Sequence, residues 1–230
     1  MNLLIYCAGG FGREVAEIAR RINAAQQRWE DIAFVDDGAE ESSAGKVEIY
    51  RLEHALKTFG TDHIEAVIAN GEPFVRKVLL ARLESHHVPL ATLVDESAVV
   101  SPTAIIGAGA VIYPNCFVSS QAVLGRNVAV IAGSMVGHDS ILGDNCVVSG
   151  HVNLGGGCLI GSETYLGMGT QIKELTRVGT GAIVGMGSIV FSDVPDEVIA
   201  MGNPCRALRP NTSNRVFKKE TNNAELQRTL

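Results

Sequence analysis

Leu124-Gly125-Arg126-Asn127-Val128-Ala129, Val130-Ile131-Ala132-Gly133-Ser134-Met135, Val136-Gly137-His138-Asp139-Ser140-Ile141 and Leu142-Gly143-Asp144-Asn145-Cys146-Val147 are four consecutive sixes in one unbroken register. Each opens on an aliphatic residue and carries a residue no larger than valine four places on. Extended both ways, the first column runs from Val94 to Val190 through seventeen positions, every one Val, Ile or Leu. The second, from Ala98 to Val194, never exceeds valine in size. Nine of the seventeen residues directly after the aliphatic are glycine, which suits corners whose backbone angles other residues avoid. A period of six fits neither the 3.6 of a helix nor the 2 of an alternating strand, and is the period of a parallel β-helix built from hexapeptide turns.

Upstream of the repeats the rhythm is strand, glycine turn, helix, strand. Leu3 to Tyr6 enters Cys7-Ala8-Gly9-Gly10-Phe11-Gly12, and Arg13 to Ile22 follows with Val15, Ile18, Ala19 and Ile22 at helical spacing. Ile32 to Val35 predicts a second strand ending at Asp36-Asp37-Gly38, and Ala66 to Ala69 a third. Pro73 opens a helix through Leu83 with Val75, Val78, Leu79 and Leu83 on its apolar face. The alternation predicts an α/β, Rossmann-like domain over 1–90 on a parallel sheet. The repeats span 91–194, and 195–230 is a C-terminal loop and tail, polar from Asn211 to Leu230 and readable as a loose tail or a short helix.

Composition narrows the function. The 230 residues are 46% hydrophobic, enough to bury a core and to exclude wholesale disorder. With 19 Lys+Arg against 25 Asp+Glu and a net charge of −6, no nucleic acid or membrane partner is expected. The five cysteines show no zinc-ligand spacing, and no signal peptide or membrane span is read, so the expected location is cytoplasmic. Cys116, Cys146 and Cys158 all fall in the small column and are read as core.

The two columns resemble the hexapeptide acyltransferases, whose triangular left-handed parallel β-helix uses three hexads per coil. That resemblance implies eighteen-residue coils, between five and six of them, in a prism about 27 Å tall at about 4.8 Å per coil. On such coils His138, in Val136-Gly137-His138-Asp139-Ser140, stacks between the small Ser120 and Gly156. An imidazole oriented by a neighbouring carboxylate suits general-base work, with Asp139 as the orienting group, and an ordinary exposed corner histidine is the competing reading.

Over nearly its whole length the chain is similar to the two-domain sugar acetyltransferases of bacterial surface-glycan and sialic-acid-type pathways. The resemblance implies His138 as the base that deprotonates an acceptor amine or hydroxyl attacking acetyl-CoA, with Asp139 beside it. It implies CoA along the glycine corners Gly167-Met168-Gly169 and Gly185-Met186-Gly187, between protomers of a homotrimer. It also places a nucleotide-linked sugar at Gly9, Gly10, Phe11, Asp36 and Asp37, the weak Cys7-x-Gly9-x-x-Gly12 fingerprint supplying helix N-terminal amides. Many relatives carry histidine where Phe11 stands. A second family histidine near the acetyl group, nine residues after the first, is here Val147; His151, thirteen residues from His138, does not stack on it.

The expectation is therefore acetyl transfer from acetyl-CoA to the amino group of a nucleotide-activated 4-amino-deoxy sugar, with no metal. O-acetylation of a sialic-acid-type sugar or polysaccharide is the alternative, and a non-catalytic trimeric nucleotide-binding scaffold a remote third. A prism carbonic anhydrase would need three imidazoles for zinc, and the repeats hold two histidines.

Overall fold

The computed structural model describes residues 1–39 and 48–217. The N-terminal unit runs β1 (Asn2–Tyr6), α1 (Gly10–Gln26), β2 (Ile32–Val35), β3 (Ile49–Tyr50), α2 (Leu52–Phe59), a 3-10 turn (Thr61–His63), β4 (Ile64–Ile68) and α3 (Pro73–Ser85). Its four strands are all parallel in the order β3-β2-β1-β4. β1 is buried along its whole length, as a strand covered on both faces must be. α1 buries Val15, Ile18, Ala19 and Ile22 as the spacing predicts, but begins at Gly10 rather than Arg13.

Three features depart from the sequence reading. β3 and α2 are additional elements, too short to show a period. On α3, Leu83 is buried and Val75 and Leu79 are half-buried, but the predicted Val78 is 50% exposed, and Pro73, Arg76 and Leu80 are buried beside them. The buried Arg76 holds this side of the helix against the repeats. Its Nε and Nη2 donate to the carbonyl oxygen of Asn127 at 2.9 and 2.7 Å, and Nη2 also reaches Asn127 Oδ1 at 2.6 Å. Nη1 donates to the carbonyls of Ile68 at 2.8 Å and Asn70 at 3.1 Å.

From β5 (Leu93–Val94) to β21 (Ile189–Val190) the chain makes seventeen two-residue strands, one per hexad. Every strand up to Gln171–Ile172 pairs in parallel with the strand eighteen residues on, as in Val123 with Ile141 and Leu124 with Leu142. The coils close into three faces. Face I carries Val111–Ile112, Ala129–Val130, Val147–Val148 and Tyr165–Leu166; face II carries Phe117–Val118 and Met135–Val136; face III carries Ile105–Ile106, Ile141–Leu142 and Leu159–Ile160. From Val118 to Val190 every member of the aliphatic column is nearly or fully buried. The small column lies beside it, and its polar members bond outward to main chain: Ser134 Oγ donates to Ser149 O at 2.8 Å, Cys146 Sγ to Gly161 O at 3.0 Å and Thr164 Oγ1 to Gly179 O at 2.7 Å. Burial pushes the Cys146 thiol up to about 12, in keeping with a core role.

The reason for the corner glycines differs from the one expected. The left-handed residue is the third after the aliphatic, as at Asn127 (φ 56), Asp139 (φ 58) and Gly169 (φ 72), and none of the nine glycines directly after it has positive φ. Those glycines are required by coil stacking. A Cβ on Gly137 would lie 2.6 Å from the carbonyl carbon of Gly155, and one on Gly167 would lie 2.5 Å from the nitrogen of Met186.

The prism ends in β22 (Val198–Met201), which joins face I, and β23 (Arg206–Pro210), antiparallel to it. The expected tail thus begins as a strand pair and continues to Phe217; its remainder, 218–230, lies outside the described residues. No helix among the described residues is long and apolar enough to cross a membrane. The N-terminal unit sits on face I, tied there by Arg76 and by ion pairs Lys77–Glu163 (2.8 Å) and Arg126–Glu84 (2.7 Å). Replacing Arg76 by Met leaves its four carbonyl partners without their donor, and is expected to lower the unfolding free energy by about 3 kcal/mol or more. Denaturant unfolding checks this; an unchanged midpoint would show that the two units do not depend on the guanidinium.

Candidate functional site

Between the N-terminal unit and face I lies a cleft of about 690 Å³. One wall is the β1–α1 turn with Cys7, Gly9, Gly10 and Phe11, continued by Asp36 and Asn70. The opposite wall is face I, with Ile131, Val147, Ser149 and Tyr165, and the C-terminal segment adds Arg215 and Phe217. The turn is shaped by close contact: Cys7 takes φ 88, and a Cβ on Gly12 would overlap the Cys7 carbonyl oxygen. Gly9 caps α1 with no side-chain acceptor and the first turn has no acidic residue, so its free amides are open to an anion. Phe11 stacks on Tyr113 at 5.6 Å and 21°, fixing the turn against the prism.

Of the five residues expected to hold a nucleotide sugar, Gly9, Gly10, Phe11 and Asp36 line the cleft. Asp36 also accepts the N–H groups of Ala8 and Gly38, each at 3.0 Å, and so holds the turn. Asp37 does not line it. Its carboxylate receives the Tyr6 hydroxyl, Arg82 at 2.7 Å and the Leu52 N–H at 3.0 Å, which makes it a tie within the N-terminal unit. Burial, with the Asp37 carboxylate next, raises the Tyr6 hydroxyl.

His138 lies elsewhere, at the corner between faces II and III. Its Nδ1 is 2.7 Å from Asp139 Oδ2, and both side chains are about two-thirds exposed. Asp139 reaches this position through its left-handed backbone, which Asp tolerates better than most residues. The ring's Cε1–Nε2 edge lies over the next coil: a Cβ on Gly156 would be 2.5 Å from both atoms. In the tautomer that donates Nδ1–H to the carboxylate, Nε2 is the free acceptor. His151 occupies the left-handed position of a different corner, its ring over Gly133.

The two glycine corners stack as expected, the Gly187 N–H donating to the Met168 carbonyl at 2.8 Å. Met168 and Met186 are 53% and 74% exposed on the corner between faces I and II. Gly167, Gly185 and both methionines thus form one ridge. It adjoins the face that bears Val147, which is fully buried in the cleft wall rather than beside His138 of the same chain. The outward positions flanking the His138 corner are apolar and bare: Phe117 and Met135 on face II, Ile105, Ile141 and Leu159 on face III. Among the described residues no cluster of three or more His, Cys, Asp or Glu suits a metal ion.

Sequence reasoning missed Glu72 and the C-terminal segment. Glu72 is 7% exposed and accepts the N–H groups of Val216 and Phe217, both at 2.8 Å. The partners are 144 and 145 residues apart, and only Phe217, a lone aromatic in a polar stretch, marks the segment in the sequence.

Residues 2–83 match the PglD N-terminal domain family. The acetyltransferase domain of PglB from Neisseria gonorrhoeae FA1090 is 30% identical with a TM-score of 0.83, covering 90% of this chain and 99% of its own. It is also described in complex with acetyl coenzyme A. WeeI from Acinetobacter baumannii AYE is 29% identical with a TM-score of 0.82, covering 90% and 100%. PerB from Caulobacter crescentus, in complex with CoA and GDP-perosamine, is 26% identical with a TM-score of 0.81, covering 90% and 97%. No protein of curated function matches the chain.

Gly156→Ala is expected to drive the imidazole off its corner and lengthen the 2.7 Å contact with Asp139, with no buried group exposed. A crystal structure of the variant checks it; an undisturbed ring would show that the coils part to admit the methyl group.

Proposed function

The chain belongs to the left-handed β-helix, hexapeptide-repeat sugar acetyltransferases, and from that premise we propose that it transfers acetyl from acetyl-CoA to the amino group of a nucleotide-linked 4-amino-deoxy sugar in surface-glycan biosynthesis. The observation that carries this reading is the His138–Asp139 pair, with Nε2 presented over Gly156 on a bare corner, in a chain 26% identical over 90% of its length to a protein described with CoA and GDP-perosamine. Nε2 takes a proton from the acceptor nitrogen as that nitrogen bonds to the thioester carbonyl carbon. The tetrahedral intermediate then collapses, the C–S bond breaks, and the imidazolium returns the proton to the departing CoA sulfur. Asp139 holds the ring and its tautomer, and stabilises the imidazolium between the two transfers. The carbonyl is polarised by main-chain N–H groups, since Val147 stands where a second histidine would.

Gly9, Gly10, Phe11 and Asp36 receive the nucleotide sugar in the cleft, within a nucleotide-sugar domain of residues 1–90. The ridge of Gly167, Met168, Gly185 and Met186 carries the pantetheine arm on the prism of residues 91–194, and no metal takes part. Cleft and ridge lie on one side of the chain and His138 on another, so a complete site needs a second copy. A threefold arrangement that buries the apolar outer positions of faces II and III brings His138 of one copy to the cleft of the next, whereas face I is already covered. The protein therefore works as a homotrimer in the cytoplasm.

CoA release from acetyl-CoA is to be measured against UDP-, dTDP- and GDP-linked amino sugars. Turnover on one of them is expected, with His138→Ala lowering kcat by about 10²- to 10⁴-fold at an unchanged fold. A variant as active as wild type would remove His138 as base. Light scattering is expected to give three times the 24.4 kDa chain mass, and a monomer at assay concentration would overturn the shared site.

A further inference from the structure

The cleft wall carries two carboxylate side chains, Asp36 and Glu72, and one guanidinium, Arg215. Both carboxylates are already engaged by main-chain donors, Asp36 by Ala8 and Gly38, Glu72 by Val216 and Phe217. Arg215 has no ion-pair partner among the described residues, so it is the one of the three whose polar head stands free to meet an anion. Deeper in, the buried Arg76 guanidinium adds a second positive charge whose hydrogen-bond partners are all neutral oxygens. The free first-turn amides of α1 face the same space from the β1–α1 turn.

Arg215 is carried into the cleft by a segment fastened at both ends. Asn211 is 8% exposed, its N–H donating to Glu197 O at 2.7 Å and its Nδ2 to Gly181 O at 2.9 Å. Beyond Arg215, the two N–H bonds to Glu72 are followed by the Phe217 ring, which meets Tyr165 edge-on at 5.7 Å and 84° and covers Gly71, where a Cβ would stand 3.3 Å from the ring. Desolvating the Glu72 carboxylate costs free energy that its two bonds to the Val216 and Phe217 amides must offset, so this segment is held in place at a cost.

We propose that this segment completes the nucleotide-sugar cleft, and that the Arg215 guanidinium is a ligand of the acceptor's diphosphate. The inference rests on the proposed acceptor and adds to it the group that selects for its anionic bridge. A guanidinium meets two phosphate oxygens at once with paired N–H donors, and the α1 amides take the other side of the same diphosphate.

The test is calorimetric titration of UDP, dTDP, GDP and the corresponding free nucleosides into wild type, Arg215→Gln and Arg215→Lys, with KM for nucleotide sugar and acetyl-CoA measured in parallel. Arg215 is exposed, so the thermal midpoint is expected to hold. Arg215→Gln is expected to weaken the preferred nucleoside diphosphate by about 10- to 100-fold, the range of a lost charge-assisted contact, with Lys intermediate. Nucleoside affinity and the KM for acetyl-CoA are expected to stay as in wild type. Equal diphosphate binding by wild type and Arg215→Gln would overturn the inference and leave the acceptor reading standing. A rise in KM for acetyl-CoA alone would overturn it too, by assigning Arg215 to the coenzyme's diphosphate. Wild type that binds neither diphosphates nor nucleotide sugars would overturn the acceptor reading, and this inference with it.

Discussion

One guanidinium joins the two halves of this molecule. Arg76 is wholly buried, and its donors go to the carbonyls of Ile68 and Asn70 on one side and to the main chain and side chain of Asn127 on the other. Burial lowers it to about 10, still far enough above neutrality to keep the charge. Among the described residues no carboxylate is a hydrogen-bond partner of it, and oriented carbonyl dipoles offset the cost of burial. Asn127 can serve because it occupies a left-handed corner and hands its own amide to Arg76 O and Asn145 Oδ1. The cleft is the space left between two surfaces held at the distance this contact sets.

The stacking of eighteen-residue coils is the second constraint, and it decides where chemistry can sit. The residue after the aliphatic must lack a Cβ where coils touch closely, the third residue turns left-handed, and the fourth fills the interior. That leaves the second residue as the corner's free tip. His138, Met168 and Met186 all occupy it, and Gly156 is the tip one coil beyond His138. His151 is a third residue, left-handed and laid over Gly133, so it is not the equivalent of His138 despite sharing its residue type.

What the sequence made legible follows from these constraints. The eighteen-residue coil came from the resemblance, but periodic positions are each set by the same local geometry, so both columns and the His138–Asp139 pair could be read off the chain. The stacking role of the glycines could not, because a Cβ clash with the next coil and a positive φ both select glycine. The burial of Arg76 could not be read either, because a charged residue on an amphipathic helix is ordinarily exposed, and only the oxygens of Asn127 across the interface reverse that. The resemblance put Asp36 and Asp37 together at the sugar, yet successive residues leaving a strand face opposite sides of the sheet. Glu72 with Val216 and Phe217 is a contact between distant segments that belong to no repeat.

These unread contacts form one connected line beneath the cleft. Cys7 stands where the dinucleotide-type fingerprint has its first glycine, and it nonetheless takes φ 88, a conformation costing about 1–3 kcal/mol in a residue with a Cβ. Its Sγ receives Asn70 Nδ2 at 3.5 Å, and Asn70 Oδ1 accepts the Glu72 N–H at 2.9 Å. Glu72 then fixes the main chain at Val216 and Phe217. A strained turn, the cap of α3 and the end of the described chain are thereby held in one register, with Arg76 donating to the same Asn70 from below. Arg215 owes its place to that line rather than to its own neighbours, as a side chain without a fixed partner must if it is to stand ready for one.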